Sequence, residues 1–244
     1  MTANPPPLFT VFSPALLHVH EIRDALVVII DVLRATSTIA TALYNGADAI
    51  IPVDSVSECI ELSRKYGAIS AGERDGKIAD GLQHGNSPLE YPRDFIAGKK
   101  LVLTTTNGTR LLHMALASKA GEIITGSFPN LSRVADYLSR QQQPVILACA
   151  GWKDRVNLED MLFAGAVVDQ VAQFFDINCD SSQVALSMYK AAGQNLYGFM
   201  QEKQASHFIR LSKYGLMDDI RYCLTPDLAP VLPVYREGSL VAGS

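Results

Sequence analysis

Residues 25–32, ALVVIIDV, form an apolar run interrupted only by Asp31, the pattern of a strand covered on both faces. Ahead of it, the proline-rich residues 4–7 read as extended chain and 8–12 as a short edge strand. Beyond it, 35–44 suits a helix that stops at Asn45-Gly46, and 49–53 returns as a strand. Asp54 or Ser55 can cap the next helix, which runs through Tyr66, and 68–71 is strand-like again. Residues 72–92 carry neither period, and a polar, glycine-rich segment of that length predicts a functional or disordered loop.

The rhythm resumes with strands at 101–104, 122–125 and 145–149, interleaved with helices at 108–117, 131–140 and 158–175. A helical stretch over 181–223, interrupted at Gly193 and Gly215, leads to a last strand at 231–235. This alternation predicts an α/β fold: a three-layer sandwich around a largely parallel or mixed sheet, with a helical C-terminal third. No repeat or linker divides residues 1–244, so a single domain is expected.

Composition narrows the functional classes. With 48% hydrophobic residues in 244, the chain can bury a substantial core. A net charge of -4 gives no basic face for nucleic acid or an anionic membrane, so an anionic ligand must be held by local donors. The longest apolar run falls far short of the roughly 20 residues a membrane-spanning helix needs. Four scattered cysteines without a CxxC pair, and no leader pattern at the start, make a reducing cytoplasm the expected location. Assembly is left open between a monomer and a homodimer.

In parallel α/β sheets ligands gather beyond the carboxyl ends of strands, and four polar clusters fall at such places. The first, 31–38, puts Asp31 at a strand end and Arg34 before a hydroxyl-rich helix start. Asp31 suits a metal ligand or a nucleophile and Arg34 a phosphate clamp; equally, Asp31 can cap the helix and pair with Arg34. The second joins Glu73, Arg74, Asn86 and Glu90 in one glycine-rich segment, a phosphate cradle or a solvated turn. The third, 104–110, offers Thr105, Asn107 and Gly108 at a helix start, or simply strand threonines and a turn. The fourth places Glu159 and Asp160 in a first helical turn, where they can coordinate magnesium or favour the helix dipole.

Cys149 and Arg155 also bracket five residues between a strand and a helix, the layout of thiolate phosphatases. No histidine precedes Cys149, only one glycine lies in the bracket, and Val156 stands where a hydroxyl would assist.

Taken in order, DVLRATSTI at 31–39, GER at 72–74, GNSP at 85–88, TTTNGT at 104–109, CAG at 149–151 and ED at 159–160 resemble the 2-phosphosulfolactate phosphatase family. A looser match extends to RLSKYGLMDDI at 210–220. The resemblance implies a magnesium-dependent hydrolase that converts 2-phosphosulfolactate, or a similar small phosphorylated acid, to sulfolactate and phosphate. That reaction is a step toward coenzyme M in methanogens, and members also occur in bacteria that lack that cofactor. It further implies Asp31, Arg34, Arg74 and Asn107 as catalytic residues and Glu73, Asn86, Thr105 and Gly108 as substrate-binding residues. Asp31, Glu159 and Asp160 are the implied magnesium ligands. Attack by metal-bound water and attack by Asp31 itself both stay open, as do a metal-independent Cys149 phosphatase and a non-catalytic phosphometabolite sensor.

Overall fold

The computed structural model describes residues 4–74 and 77–243, and its strands join in one ten-stranded mixed sheet. The first parallel block holds β1 (Leu8–Val11), β2 (Leu26–Ile30), β7 (Glu122–Gly126) and β8 (Val145–Cys149). The second holds β3 (Ala49–Val53), β4 (Ile69–Arg74) and β6 (Lys100–Thr104), with β5 (Lys77–Ile78) antiparallel at its edge. Between the blocks lies an antiparallel hairpin of β9 (Leu232–Arg236) and β10 (Ser239–Gly243), giving the order β1-β8-β2-β7-β9-β10-β3-β6-β4-β5.

Strand β2 explains the apolar run. Leu26, Val28 and Ile30 enter a core cluster on one face, while Val27 and Ile29 enter a second cluster on the other. Both faces are covered because β2 sits between β7 and β8, so no position alternates to solvent. On the first face lie α5 (Leu131–Leu138) and α6 (Leu158–Val171); on the second lies α4 (Gly108–Ala117). Helix α6 is apolar around most of its circumference because α7 (Asp180–Ala192) covers its outer side. The approach is close: a Cβ on Gly165 would lie 2.1 Å from the Ala185 carbonyl oxygen, so a larger residue there would push the helices apart.

Helices α1 (Ala35–Tyr44) and α2 (Val56–Tyr66) match the expected bounds closely, and Ser55 caps α2 by accepting the Glu58 N–H at 3.1 Å. Four features differ from expectation. Residues 72–92 are largely ordered by β4, β5 and a short 3-10 turn at Pro88–Glu90, with positions 75–76 outside the described residues. A short helix α3 (Arg93–Ile96) follows, and its single turn is too brief for a periodic signal. The C-terminal third divides into α7, α8 (Leu196–Glu202), α9 (Ser206–Lys213) and α10 (Met217–Cys223), with an extra break after Glu202. Strand β10 was not anticipated; its signal is the Glu237-Gly238 pair at φ 47 and 87, the backbone of a tight hairpin turn. No helix among the described residues is long and apolar enough to cross a membrane.

The three antiparallel steps from β7 to β3 leave the two parallel blocks pointing in opposite senses. The end of β2 and the end of β6 nevertheless meet, which the accumulated twist of so wide a sheet permits. A Cβ on Gly108, just beyond β6, would lie 3.3 Å from Asp31 Oδ2 and 3.5 Å from Ala35 Cβ. The N-termini of α1 and α4 therefore converge on Asp31, one from each block.

Candidate active site

Sequence-local hydroxyls shape the loop between β2 and α1. The Thr36 Oγ1 accepts the Asp31 N–H at 3.1 Å, Ser37 Oγ donates to the Val32 carbonyl at 2.8 Å, and Thr38 Oγ1 donates to the Asn86 carbonyl at 2.5 Å. The hydroxyl-rich helix start thus builds the site's frame. The Ala35 N–H at the start of α1 favours the ionised form of Asp31, which lines the pocket, while the N-cap position of the helix is Arg34.

The lining of that pocket includes Asp31, Arg34, Glu73, Asn86, Thr105 and Asn107, six residues that the sequence singled out. Gly108 is not among the lining residues but stands beside Asp31, where a side chain would crowd the carboxylate. Glu73 reaches across to the third cluster and accepts from Thr106 Oγ1 at 3.0 Å. Asn86 is buried, and its Oδ1 has no hydrogen-bond partner.

Arg34 pairs with Asp219 on α10, which also accepts from Ser87 Oγ at 2.8 Å. One buried carboxylate from the C-terminal third therefore ties the Arg34 loop to the 85–88 loop. Arg74 lies outside the pocket wall, donating to the Glu73 carbonyl at 2.6 Å and to Thr104 Oγ1 at 3.1 Å.

The two acids of α6 are buried behind the pocket and do different things. Asp160 accepts from the Val32 N–H at 2.9 Å through Oδ1 and from the Gly151 N–H at 3.1 Å through Oδ2, fastening the loops after β2 and β8. Burial pushes its carboxyl well up, and Glu159 and Asp31 add to the effect. Glu159 Oε1 lies 2.5 Å from His207 Nδ1, and its Oε2 is buried without a hydrogen-bond partner.

Four more pocket residues escaped the sequence reading: Trp152 and Lys153 in the loop after β8, and His207 and Arg210 on α9. On an amphipathic helix, a histidine and an arginine look like an ordinary solvated face. The available signals were the lone tryptophan of the chain next to a strand end and the position of Arg210 at the start of the 210–220 motif.

The Cys149 and Arg155 bracket does not form a thiolate site. Cys149 is buried outside the pocket wall, and burial, with Asp160 and Glu159 close by, pushes its thiol well up; Arg155 is exposed.

Asp31 is the most electrostatically stressed group that faces the pocket. Burial pushes its carboxyl up to about 6; His207 pulls it down, while Glu73 and Glu159 push it further up. Relative to an unfolded value of 3.8, that corresponds to roughly 3 kcal/mol. The native state holds the extra proton, so this stabilisation is full below pH 3.8 and is lost as pH rises through about 6. With a chelator present, the thermal midpoint is expected to be higher at pH 5.5 than at pH 7.5, as read by differential scanning calorimetry. A flat or opposite trend would show that Asp31 is not stressed in this way.

Among the described residues no three His, Cys, Asp or Glu side chains form a ready metal cage. Magnesium does not require one, since it commonly takes one or two carboxylates and completes its shell with water and substrate phosphate. A raised Asp31 and an orphaned Glu159 oxygen are the groups that such a cation would relieve, so the donor set fits it.

The model of the family described as 2-phosphosulpholactate phosphatase matches residues 11–238. A probable 2-phosphosulfolactate phosphatase of Thermotoga maritima is 41% identical over 221 residues, covering 91% of this chain and 92% of that protein. One from Caldanaerobacter subterraneus subsp. tengcongensis is 39% identical over 222 residues, covering 89% and 90%. A third, from Synechocystis sp., is 37% identical over 233 residues, covering 93% and 95%.

Proposed function

Because the chain belongs to the 2-phosphosulpholactate phosphatase family, we propose that it hydrolyses the phosphate ester of 2-phosphosulfolactate, or of a closely similar acid, in a magnesium-dependent reaction. The observation that carries this reading is Asp31, a buried carboxylate lining a polar cleft where two helix N-termini converge. Helix N-termini favour an anion, and a carboxylate among them favours a cation, so the spot suits a metal and a phosphate together.

Asp31 would hold the magnesium, with Glu73 and Glu159 near enough in charge to act on it through water. Asp160 is left out of that set because both its oxygens are engaged by backbone amides. When bound, the ion neutralises phosphate charge in a site of low dielectric. The N–H groups at the start of α4 and the Asn107 side chain orient the phosphate. Arg34 adds positive charge from a position fixed by Asp219.

His207 is the group placed to move a proton. Its Nδ1 lies 2.5 Å from Glu159 Oε1, which leaves Nε2 for the substrate; a protonated Nε2 would give its proton to the leaving oxygen and be reprotonated by the attacking water. The four cysteines are unpaired, in keeping with a reducing cytoplasm.

The test is phosphate release from synthetic 2-phosphosulfolactate. Activity is expected to vanish with a chelator, return with magnesium, and survive Cys149→Ala with less than about a threefold change. Turnover that persists in chelator and dies in Cys149→Ala would favour the thiolate route; binding without phosphate release would favour a sensor.

A further inference from the structure

Trp152, Lys153 and Arg210 line the same cleft yet have no part in the scheme above. Lys153 Nζ lies 4.6 Å from the centre of the indole ring and Arg210 Cζ 4.4 Å from it, so one tryptophan gathers two cations. The loop that carries Trp152 and Lys153 is tightly set. Lys153 and Asp154 are left-handed, at φ 51 and 60, and Asp154 is tied to Arg110 by an ion pair of 2.7 Å.

The charge balance around the cleft is uneven. Arg34 faces Asp219 and His207 faces Glu159, so each of these already has a protein carboxylate. Among the described residues Lys153 and Arg210 have no carboxylate partner, and Arg210 Nε is buried without a hydrogen bond. A buried guanidinium nitrogen without an acceptor is costly unless a ligand supplies one. Asp31 and Glu73, elsewhere on the wall, would repel any acid group of the substrate that does not bind the metal.

We infer that Trp152, Lys153 and Arg210 form the subsite for a second anionic group of the substrate, and specifically for its sulfonate. This rests on the phosphatase reading above and adds a basis for selectivity to it. A sulfonate spreads one charge over three oxygens, enough to meet a guanidinium fork and an ammonium at once, and its diffuse charge tolerates the indole face better than a compact carboxylate would.

The test compares 2-phosphosulfolactate with 2-phosphoglycerate, which keeps the phosphate and carboxylate but has a hydroxyl in place of the sulfonate. In Arg210→Gln and Lys153→Gln the ratio of kcat/KM values for these two esters is expected to fall by about ten- to hundredfold, mainly through KM for the sulfonate substrate. Arg210→Lys, which keeps the charge, should recover part of the ratio. An unchanged ratio in both Gln variants, including equal losses on both esters, would overturn the assignment. Calorimetric binding of sulfolactate provides a readout without turnover: at least tenfold weaker binding in the Gln variants supports the subsite, and unaltered binding rejects it. Absence of phosphate release from either ester by the wild-type protein would instead defeat the phosphatase reading, with the sulfolactate measurement still deciding the subsite.

Discussion

Asp31→Asn is expected to lower phosphate release by roughly a thousandfold or more while raising the thermal midpoint of the metal-free protein at pH 7.5 by several degrees. Both effects come from one charge. At that pH the carboxylate is ionised against the burial that pushes it up to about 6, with Glu73 and Glu159 opposing it and His207 and the Ala35 N–H in its favour. An amide has nothing to ionise, and its oxygen can still accept the Ala35 N–H at the start of α1. The stability gain is the release of that strain, and the loss of activity is the loss of the anionic ligand at the cleft floor. Such a trade between stability and activity is common where a site is built under tension. Steady-state kinetics and calorimetry on the same preparation decide the matter. Inactivity with a lowered midpoint would make Asp31 chiefly a structural partner of the α1 start, and an active, more stable variant would remove it from the chemistry.

Asp219→Ala is expected to cost about 3–5 kcal/mol, equivalent to a midpoint drop of roughly 10 °C in a chain of this size. Two bonds are lost together, the ion pair to Arg34 and the hydrogen bond from Ser87, and both lie in the interior. The larger part of the cost is desolvation: the guanidinium stays where it was, without this carboxylate to balance it. Asp219→Asn keeps the shape and one acceptor, so it should lose less. Any residual activity should fall as well, because Arg34 and the 85–88 loop are positioned through the same carboxylate. Urea denaturation measures the effect, and a loss under 1 kcal/mol would mean that Asp219 does not hold these loops.

Much of the architecture was legible because it rests on local periodicity. The β2 run announces a strand buried on both faces, Asn45-Gly46 ends α1, and Ser55 caps α2. Strand β10 and helix α3 were missed, since SLVAG and RDFI are too short for a period to emerge. The segment at 72–92 lacks a period because its order comes from short, irregular pairings, Glu73 with Ile78 and Ala71 with His84, and from side-chain ties such as Tyr91 OH to the Gly85 carbonyl at 2.6 Å.

For the site, the contrast is between residue chemistry and partnership. An acid at a strand end, glycines at helix starts and a hydroxyl-rich turn mark Asp31, Gly108 and the 31–38 loop as chemistry-bearing, because strand ends and helix N-termini are local properties of the chain. Which of two adjacent acids meets His207 and which braces two loops could not be read, because Glu159 and Asp160 differ only in where α6 aims them after docking. The same holds for Arg34, whose partner Asp219 lies 185 residues away, and for Trp152, Lys153 and Arg210, which meet only when α9 packs beside the loop after β8. Backbone preference is encoded within a few neighbours. Charge pairing and desolvation depend on distances through space, and those exist only once the chain has folded.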